Sequence, residues 1–215
     1  MIRSCGHSRR VGYIAGKVLA RRTLTEPRMS SSAPDPTRRL APLHAQGMLA
    51  GVDATHRLAA EIATRLTPGF RLYLSGDLGT GKTTLVRELL RALGHQGRVA
   101  SPTYTLIEPY NLSRFDLHHF DFYRLTHPGA WRDAGFEDAF DSQTVVVVEW
   151  PEHAGDGLPA PDLHLSLSAD PGQAEDVRGL TATAFSDRGQ ACLTALRDAG
   201  FCATVPSPDW GYAAR

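Results

Sequence analysis

The sequence lacks the features of secreted, zinc-binding and membrane proteins. Its three cysteines, Cys5, Cys192 and Cys202, are widely separated and have no paired spacing. This excludes a disulfide framework and a zinc knuckle, and it fits a reducing cytoplasm. No apolar run approaches the roughly 20 residues that cross a bilayer, and Glu149 ends the most apolar stretch, Val145–Val148. We therefore expect a soluble, cytoplasmic protein with no membrane contact.

The chain also lacks an excess of charge of either sign. Lys and Arg together number 23, and Asp and Glu together number 23. A chain balanced in this way cannot hold nucleic acid by counterion release from its overall charge alone. We therefore expect any contact with RNA to be indirect.

Length and hydrophobic content set the number of domains. With 215 residues, of which 42% are hydrophobic, the chain is long enough for one α/β domain but short for two domains and the apparent tails. We place the domain at residues 52–200. Residues 1–51 are predicted to be a disordered extension, basic at first and then rich in Ser, Pro and Ala, and residues 201–215 to be a tail.

The first 28 residues are strongly basic, with seven Lys or Arg residues against a single acid, Glu26. Three interpretations stay open for this segment. An Arg-rich, acid-poor start is typical of an organelle transit peptide, and a basic arm is able to touch RNA. Alternatively, translation starts downstream, at Met29 or Met48.

From residue 52 onward, the apolar periodicity alternates between helix and strand. It predicts helices over residues 53–67, 83–93 and 188–199, helical turns over 128–140, and strands over 70–74, 105–110, 115–123, 144–149, 162–168 and 177–185. This alternation predicts an α/β fold with helices on both faces of the sheet. The four consecutive valines, Val145–Val148, indicate a strand near the centre of that sheet. A ligand is then expected at the carboxyl ends of the strands.

A glycine-rich loop stands between the predicted strand 70–74 and the helix that follows it. The segment Gly76–Thr83, GDLGTGKT, has the glycines, lysine and hydroxyl at the spacing of a P-loop, which predicts a single-domain, P-loop NTPase-like fold. Glycines let backbone N–H groups converge on phosphate oxygens, Lys82 brings positive charge to the β- and γ-phosphates, and Thr83 offers a hydroxyl to Mg²⁺. The residues predicted to bind ATP and Mg²⁺ here are Gly79, Thr80, Gly81, Lys82, Thr83 and Thr84.

A magnesium–nucleotide complex needs an acid opposite the P-loop. Glu149 directly follows Val145–Val148, where a Walker B carboxylate stands, and is the first candidate. Asp121 is the second, on the strand face that also carries His119. Each acid has a structural alternative: Glu149 as a solvated strand end, and Asp121 as the partner of Arg124.

Four blocks of sequence resemble the TsaE (YjeE) family in their order and spacing. They are GDLGTGKTT at 76–84, SPTYTL at 101–106, HFDFYRL at 119–125 and VEWPE at 148–152. The resemblance covers residues 53–188, and the four blocks together are far more specific than a P-loop alone. It implies a bacterial ATPase that acts with TsaB and TsaD, and so indirectly on tRNA, in the synthesis of threonylcarbamoyladenosine.

The resemblance also implies roles for individual residues of the site. Thr83, Glu149 and Asp121 would form the magnesium side. Glu152 and Arg178 fall where the family contacts the rest of the nucleotide.

The segment Ser101–Tyr104 would be a switch-like loop in this family. Pro102 restricts Ser101 to extended backbone, which presents Thr103 on a loop where its hydroxyl is able to sense the γ-phosphate. Such a loop orders with ATP and relaxes afterwards. With Thr103 added to the P-loop lysine and the two acids, the predicted catalytic residues are Lys82, Asp121, Glu149 and Thr103.

Two other classes of P-loop protein compete with this interpretation. A small-molecule kinase needs an acceptor pocket and usually an arginine-bearing lid, for which residues 128–140 offer only Arg132. A regulatory GTPase needs an Asn-Lys-x-Asp segment to read guanine, and the sequence contains none. The kinase is therefore the leading alternative.

Overall fold

A computed structural model describes residues 41–169, 174 and 176–206. The strands are β1 (Leu43–Ala50), β2 (Arg71–Ser75), β3 (Ile107–Asn111), β4 (Asp116–Asp121), β5 (Val145–Glu149), β6 (Leu163–Ala169), β7 (Val177–Ala184) and β8 (Ala203–Thr204). The helices are α1 (Gly51–Arg65), α2 (Lys82–Ala92), α3 (Ala130–Asp133) and α4 (Asp187–Asp198), with 3-10 helices at Phe136–Phe140 and Pro151–Gly157. In these described ranges, no helix has the length and apolar character needed to span a bilayer.

The strands form one mixed sheet in the order β3-β4-β5-β2-β6-β7-β1-β8. Strands β4, β5, β2 and β6 are parallel to their neighbours in this series, so their carboxyl ends lie at one edge. The register places Asp121 beside Glu149, and Glu149 beside Leu74 on β2. The sheet thus brings both predicted acids to the edge from which the P-loop leaves, as the sequence predicts.

Helices cover both faces of the sheet, which confirms the predicted fold class. Side chains of α1, α2 and α4 pack in one core with Val145 and Val147 of β5. On the other face, α3 and the two 3-10 helices pack with Val146 and Val148. Successive residues of a strand point to opposite faces, and this is why all four valines are buried.

The elements predicted after residue 52 are present, with ends within two residues of the predicted ones. The prediction of disorder up to residue 51 is wrong for residues 43–50, which form β1. This strand pairs with β7 along its whole length and buries Ala45 and Leu49. A second correction applies to the predicted tail, where β8 pairs with β1. Residues 1–28, with their three interpretations, lie outside the described residues.

Candidate nucleotide-binding site

The P-loop runs from the carboxyl end of β2 to the first turn of α2. Gly76 packs so closely against β6 that an added Cβ would lie 2.0 Å from the Leu167 carbonyl oxygen. Gly81, the residue before α2, has a φ of 100°, in the left-handed region that favours glycine. The first N–H groups of a helix have no intrahelical acceptor, so the start of α2 is suited to bind an anion.

A cleft of about 430 Å³ opens above the P-loop. Eight of the predicted site residues line it: Gly79, Gly81, Lys82, Thr83, Thr84, Thr103, Asp121 and Glu149. Five further residues line it that are absent from the predicted site: Leu78, Ser101, Tyr123, Arg124 and Trp150. The tertiary structure therefore brings the cation, the hydroxyls and both acids into one space.

Lys82 is buried at the floor of this cleft, with 4% of its surface exposed. Its ammonium donates to the carbonyl oxygens of Gly76 (2.5 Å) and Asp77 (2.9 Å) and lies 3.8 Å from the ring centroid of Trp150. Burial lowers the pKa of Lys82, while four carboxylates act in the opposite direction: Glu149, Glu152, Asp121 and Asp77. The cation is thus held at the loop by neutral carbonyl acceptors, and no carboxylate of the described residues is in direct contact with it.

Glu149 is buried and divides its two carboxylate oxygens between two partners. Thr83 Oγ1 donates to Oε2 at 2.9 Å, and His119 Nε2 contacts Oε1 at 2.8 Å. Only 2% of the surface of Glu149 is exposed, so the alternative of a solvated strand end is wrong. The predicted metal hydroxyl and the predicted metal acid are therefore already neighbours.

Asp121 ends β4 and holds the loop that follows Ala100. Its Oδ2 accepts from Ser101 Oγ at 2.7 Å and from Thr103 Oγ1 at 2.6 Å, and its Oδ1 accepts from the Tyr123 N–H at 3.0 Å. The guanidinium of Arg124 lies instead over the Tyr104 ring, 4.6 Å from its centroid. Asp121 thus links the edge of the sheet that carries Glu149 to the predicted switch loop.

Three predicted nucleotide contacts are not among the residues that line the cleft. Thr80 is buried, and its hydroxyl donates to the Asp77 carbonyl inside the loop at 2.8 Å. Glu152 accepts from Ser75 Oγ at 2.7 Å. Arg178 lies at the same sheet edge, but on β7, and donates to the Val177 carbonyl at 3.0 Å. Their roles toward a nucleotide stay predictions.

Trp150 and His119 belong to the site but are not among the ligands and catalytic residues predicted from the sequence. Trp150 has a φ of 58°, a conformation uncommon outside glycine, and this backbone turn sets its ring over Lys82. His119 is fully buried, and its Nδ1 has no partner among the described residues, so Glu149 is its one polar contact there. The signal for both was adjacency: Trp150 follows Glu149, and His119 shares a strand face with Asp121.

The comparison with known families agrees with this geometry. The model of the family described as "Threonylcarbamoyl adenosine biosynthesis protein TsaE" matches residues 49–177, which include every residue that lines the cleft. The chain belongs to the TsaE family. Members of the TsaE family take part in the biosynthesis of threonylcarbamoyladenosine in tRNA.

Individual TsaE proteins are similar over most of their length. The tRNA threonylcarbamoyladenosine biosynthesis protein TsaE of Haemophilus influenzae is 38% identical over 139 residues, which are 64% of this chain and 85% of that protein. The TsaE of Bacillus subtilis is 35% identical over 136 residues, covering 63% of this chain and 83% of the relative. The crystal structure of Bacillus subtilis YdiB superposes with a TM-score of 0.61 at 28% identity, covering 74% and 98% of the two chains.

The contact between His119 and Glu149 supports a first testable expectation. A carboxylate only accepts hydrogen bonds, so Nε2–H donates and fixes Oε1, which leaves Oε2 toward Thr83. His119→Met fills similar space without a donor and is expected to weaken magnesium-dependent activity about 10- to 100-fold, the usual effect of losing such a supporting contact. His119→Gln, which retains a donor, is expected to recover most of this loss.

The pair is compared by the magnesium concentration that gives half-maximal ATP turnover, with thermal unfolding as the check on folding. Equal defects in the Met and Gln variants would show that His119 acts only by filling the core.

Proposed function

We propose that this chain binds Mg²⁺–ATP in the P-loop cleft and hydrolyses it in the cytoplasm, as the nucleotide-dependent partner of TsaB and TsaD. Its contribution to tRNA modification would then pass through that complex. The main support is the convergence in one cleft of a buried cation, Lys82, with the Thr83–Glu149 pair and Asp121. Membership of the TsaE family supports the pathway.

The residues of the cleft fit a magnesium–nucleotide complex. Lys82 and the backbone of the P-loop would hold the triphosphate, and Thr83, Glu149 and Asp121 would hold the metal. Within the described ranges, no group of three or more His, Cys, Asp or Glu residues is arranged as a metal cluster. Magnesium on a nucleotide does not need one, because it usually takes one or two carboxylates together with phosphate oxygens. When bound, the complex supplies an activated γ-phosphoryl group.

The kinase alternative finds little support in the structure. Arg132, the one arginine of residues 128–140, donates to the Gly157 carbonyl, pairs with Glu137 at 3.0 Å and lies over the Trp131 ring. These contacts belong to the face of the sheet covered by α3. An acceptor screen separates the two functions. Release of phosphate to water alone is expected, whereas transfer to a small molecule would establish a kinase.

The loop from Ser101 to Leu106 offers a route from nucleotide to partner. Its hydroxyls occupy the Asp121 oxygen that a metal would share. The Leu106 N–H closes the loop onto the Pro102 carbonyl at 2.7 Å, and Leu106 itself has a φ of 64°. Tyr104, at the tip, is 84% exposed. A change at Asp121 would therefore reposition an exposed aromatic ring, the kind of side chain that anchors protein interfaces.

We therefore expect slow ATP hydrolysis by the chain alone and nucleotide-dependent binding to TsaB–TsaD. The test measures affinity for the TsaB–TsaD pair with a non-hydrolysable ATP analogue and with ADP. Thr103→Ala removes the link to Asp121 and should bring the two affinities together. Tyr104→Ala removes the exposed ring and should lower both affinities, by about 2 kcal/mol if the ring is an interface anchor.

Two outcomes would contradict this coupling. If the unaltered protein binds its partners equally with both nucleotides, the loop is no switch. If the Thr103→Ala variant retains the full difference, the nucleotide state reaches the partner by another route.

A further inference from the structure

A second cavity, of about 560 Å³, lies beside the P-loop cleft. Three arginines line it, two from the same face of α2 and one from the loop that follows the helix: Arg87, Arg91 and Arg98. Because Arg87 and Arg91 are four residues apart on the helix, their side chains are neighbours. Val99, which is buried in the core, anchors the loop directly after Arg98. Three arginine residues thus line one space.

The charge of this arginine cavity is largely unbalanced. None of the described residues that line it is acidic. Arg91 pairs with Glu88 at 2.5 Å, but Glu88 also accepts from His56 at 2.9 Å and does not line the cavity. Arg87 and Arg98 have no acceptor within the described part of the chain. Arginine residues that line one space and lack carboxylate partners among the described residues, as Arg87 and Arg98 do, are suited to bind oxyanions bidentately.

The arginine cavity and the P-loop cleft share two lining residues, Thr83 and Ser101. An anion in the cavity would therefore lie next to the metal side of the cleft. We propose that the arginine cavity is a phosphate-binding site, with Arg87 and Arg98 as its principal ligands and Arg91 in support. Its phosphate group comes either from an RNA backbone or from inorganic phosphate. The inference goes beyond the proposed function, since it does not require hydrolysis.

The site is compatible with the balanced charge of the whole chain. Single-stranded RNA bound through Z phosphate contacts loses affinity with salt at a slope of about −0.7Z. Three arginine contacts give a slope of about −2, which is weak and strongly salt-dependent binding. Such a site adds affinity for RNA within a larger assembly. By itself it does not bind RNA at high salt.

The test uses the full chain, with the P-loop filled by a non-hydrolysable ATP analogue whose affinity is measured first for each variant. One probe is a labelled single-stranded RNA and the other is inorganic phosphate, each followed by equilibrium titration at several salt concentrations. The test variant is Arg87→Ala, Arg98→Ala. The matched control, Arg57→Ala, Arg197→Ala, removes the same charge from residues that do not line the cavity.

The test variant is expected to bind the favoured probe about tenfold or more weakly than the control, the usual loss for charge-assisted hydrogen bonds. For RNA, the salt slope should fall from about −2 to about −0.7, because one arginine contact remains. RNA binding that phosphate displaces only at high concentration supports the backbone as the source, and tight phosphate binding supports the free ion.

Binding of neither probe would overturn the proposal, as would equal losses in the test variant and the control. If the protein does not bind ATP, the titration with the analogue shows it separately. RNA and phosphate binding to the arginine cavity is then measured on the protein without nucleotide.

Discussion

Replacing Lys82 with Ala is expected to weaken binding of Mg²⁺–ATP by about 100-fold, or about 2.7 kcal/mol. Lys82 is one of two lysines in the chain, the other being Lys17, and it is the one buried at the floor of the cleft. Its present acceptors are neutral carbonyl groups. A triphosphate would replace them with charged oxygens, and hydrogen bonds between charged groups contribute about 1.5–3 kcal/mol each.

Calorimetric titration with Mg²⁺–ATP measures this loss. Arg57→Ala removes the same charge from an exposed position of α1 and should leave the affinity unchanged. Both variants should unfold near the temperature of the unaltered protein, because among the described residues the Lys82 ammonium contacts only two neutral carbonyl groups and the Trp150 ring. Unchanged affinity in Lys82→Ala would refute the P-loop assignment.

The second large effect is expected from the two acids. Glu149→Gln should lower magnesium-dependent ATP turnover by about 100-fold, which corresponds to about 2.7 kcal/mol of transition-state stabilisation. Asp121→Asn should have a smaller effect, about tenfold, because two hydroxyls already share its Oδ2. Each amide matches the shape of the acid it replaces, so the variants remove charge and preserve packing.

Magnesium separates these losses from general damage to the site. Nucleotide binding measured with excess chelator should be nearly the same in both variants and in the unaltered protein, whereas turnover with Mg²⁺ should fall. Asp138→Asn is the matched control. It makes the same change from acid to amide at an exposed position of the 3-10 helix Phe136–Phe140, on the face of the sheet that α3 covers. Equal losses with and without Mg²⁺ would assign Glu149 and Asp121 to the structure of the site and not to its metal.

Sequence periodicity predicted most of the fold. Strand β5 was evident because four consecutive valines suit a strand buried on both faces, and α1 and α2 because their apolar residues repeat at helical spacing. Strand β1 gave no such signal. Its buried residues include only Ala45 and Leu49, and its pairing with β7 joins residues more than 120 positions apart. Long-range pairing of this kind has no local signature.

The candidate site was predicted in the same uneven way. Cleft residues that depend on a short spacing could be named from the sequence, because the P-loop lies in one continuous segment and Glu149 ends the strand of four valines. The contact of His119 with Glu149 was not predicted, because it depends on strand register, which brings His119 to an acid 30 positions later. Trp150 needed the backbone turn after β5 to reach Lys82. Thr80 lies within the motif, yet its side chain turns into the loop.

The order of residues along this chain was sufficient for the α/β class, the P-loop and the family resemblance, because each depends on local periodicity or on contiguous motifs. The equal numbers of acids and bases, in contrast, concealed a local imbalance. A composition sums the charges without regard to their positions, whereas an electrostatic field depends on the distances between the charges. Folding places Arg87, Arg91 and Arg98 around one cavity and pairs Glu149 with Thr83 and His119. Such clusters arise only when helix, loop and sheet pack together, because packing alone sets the distances between charges.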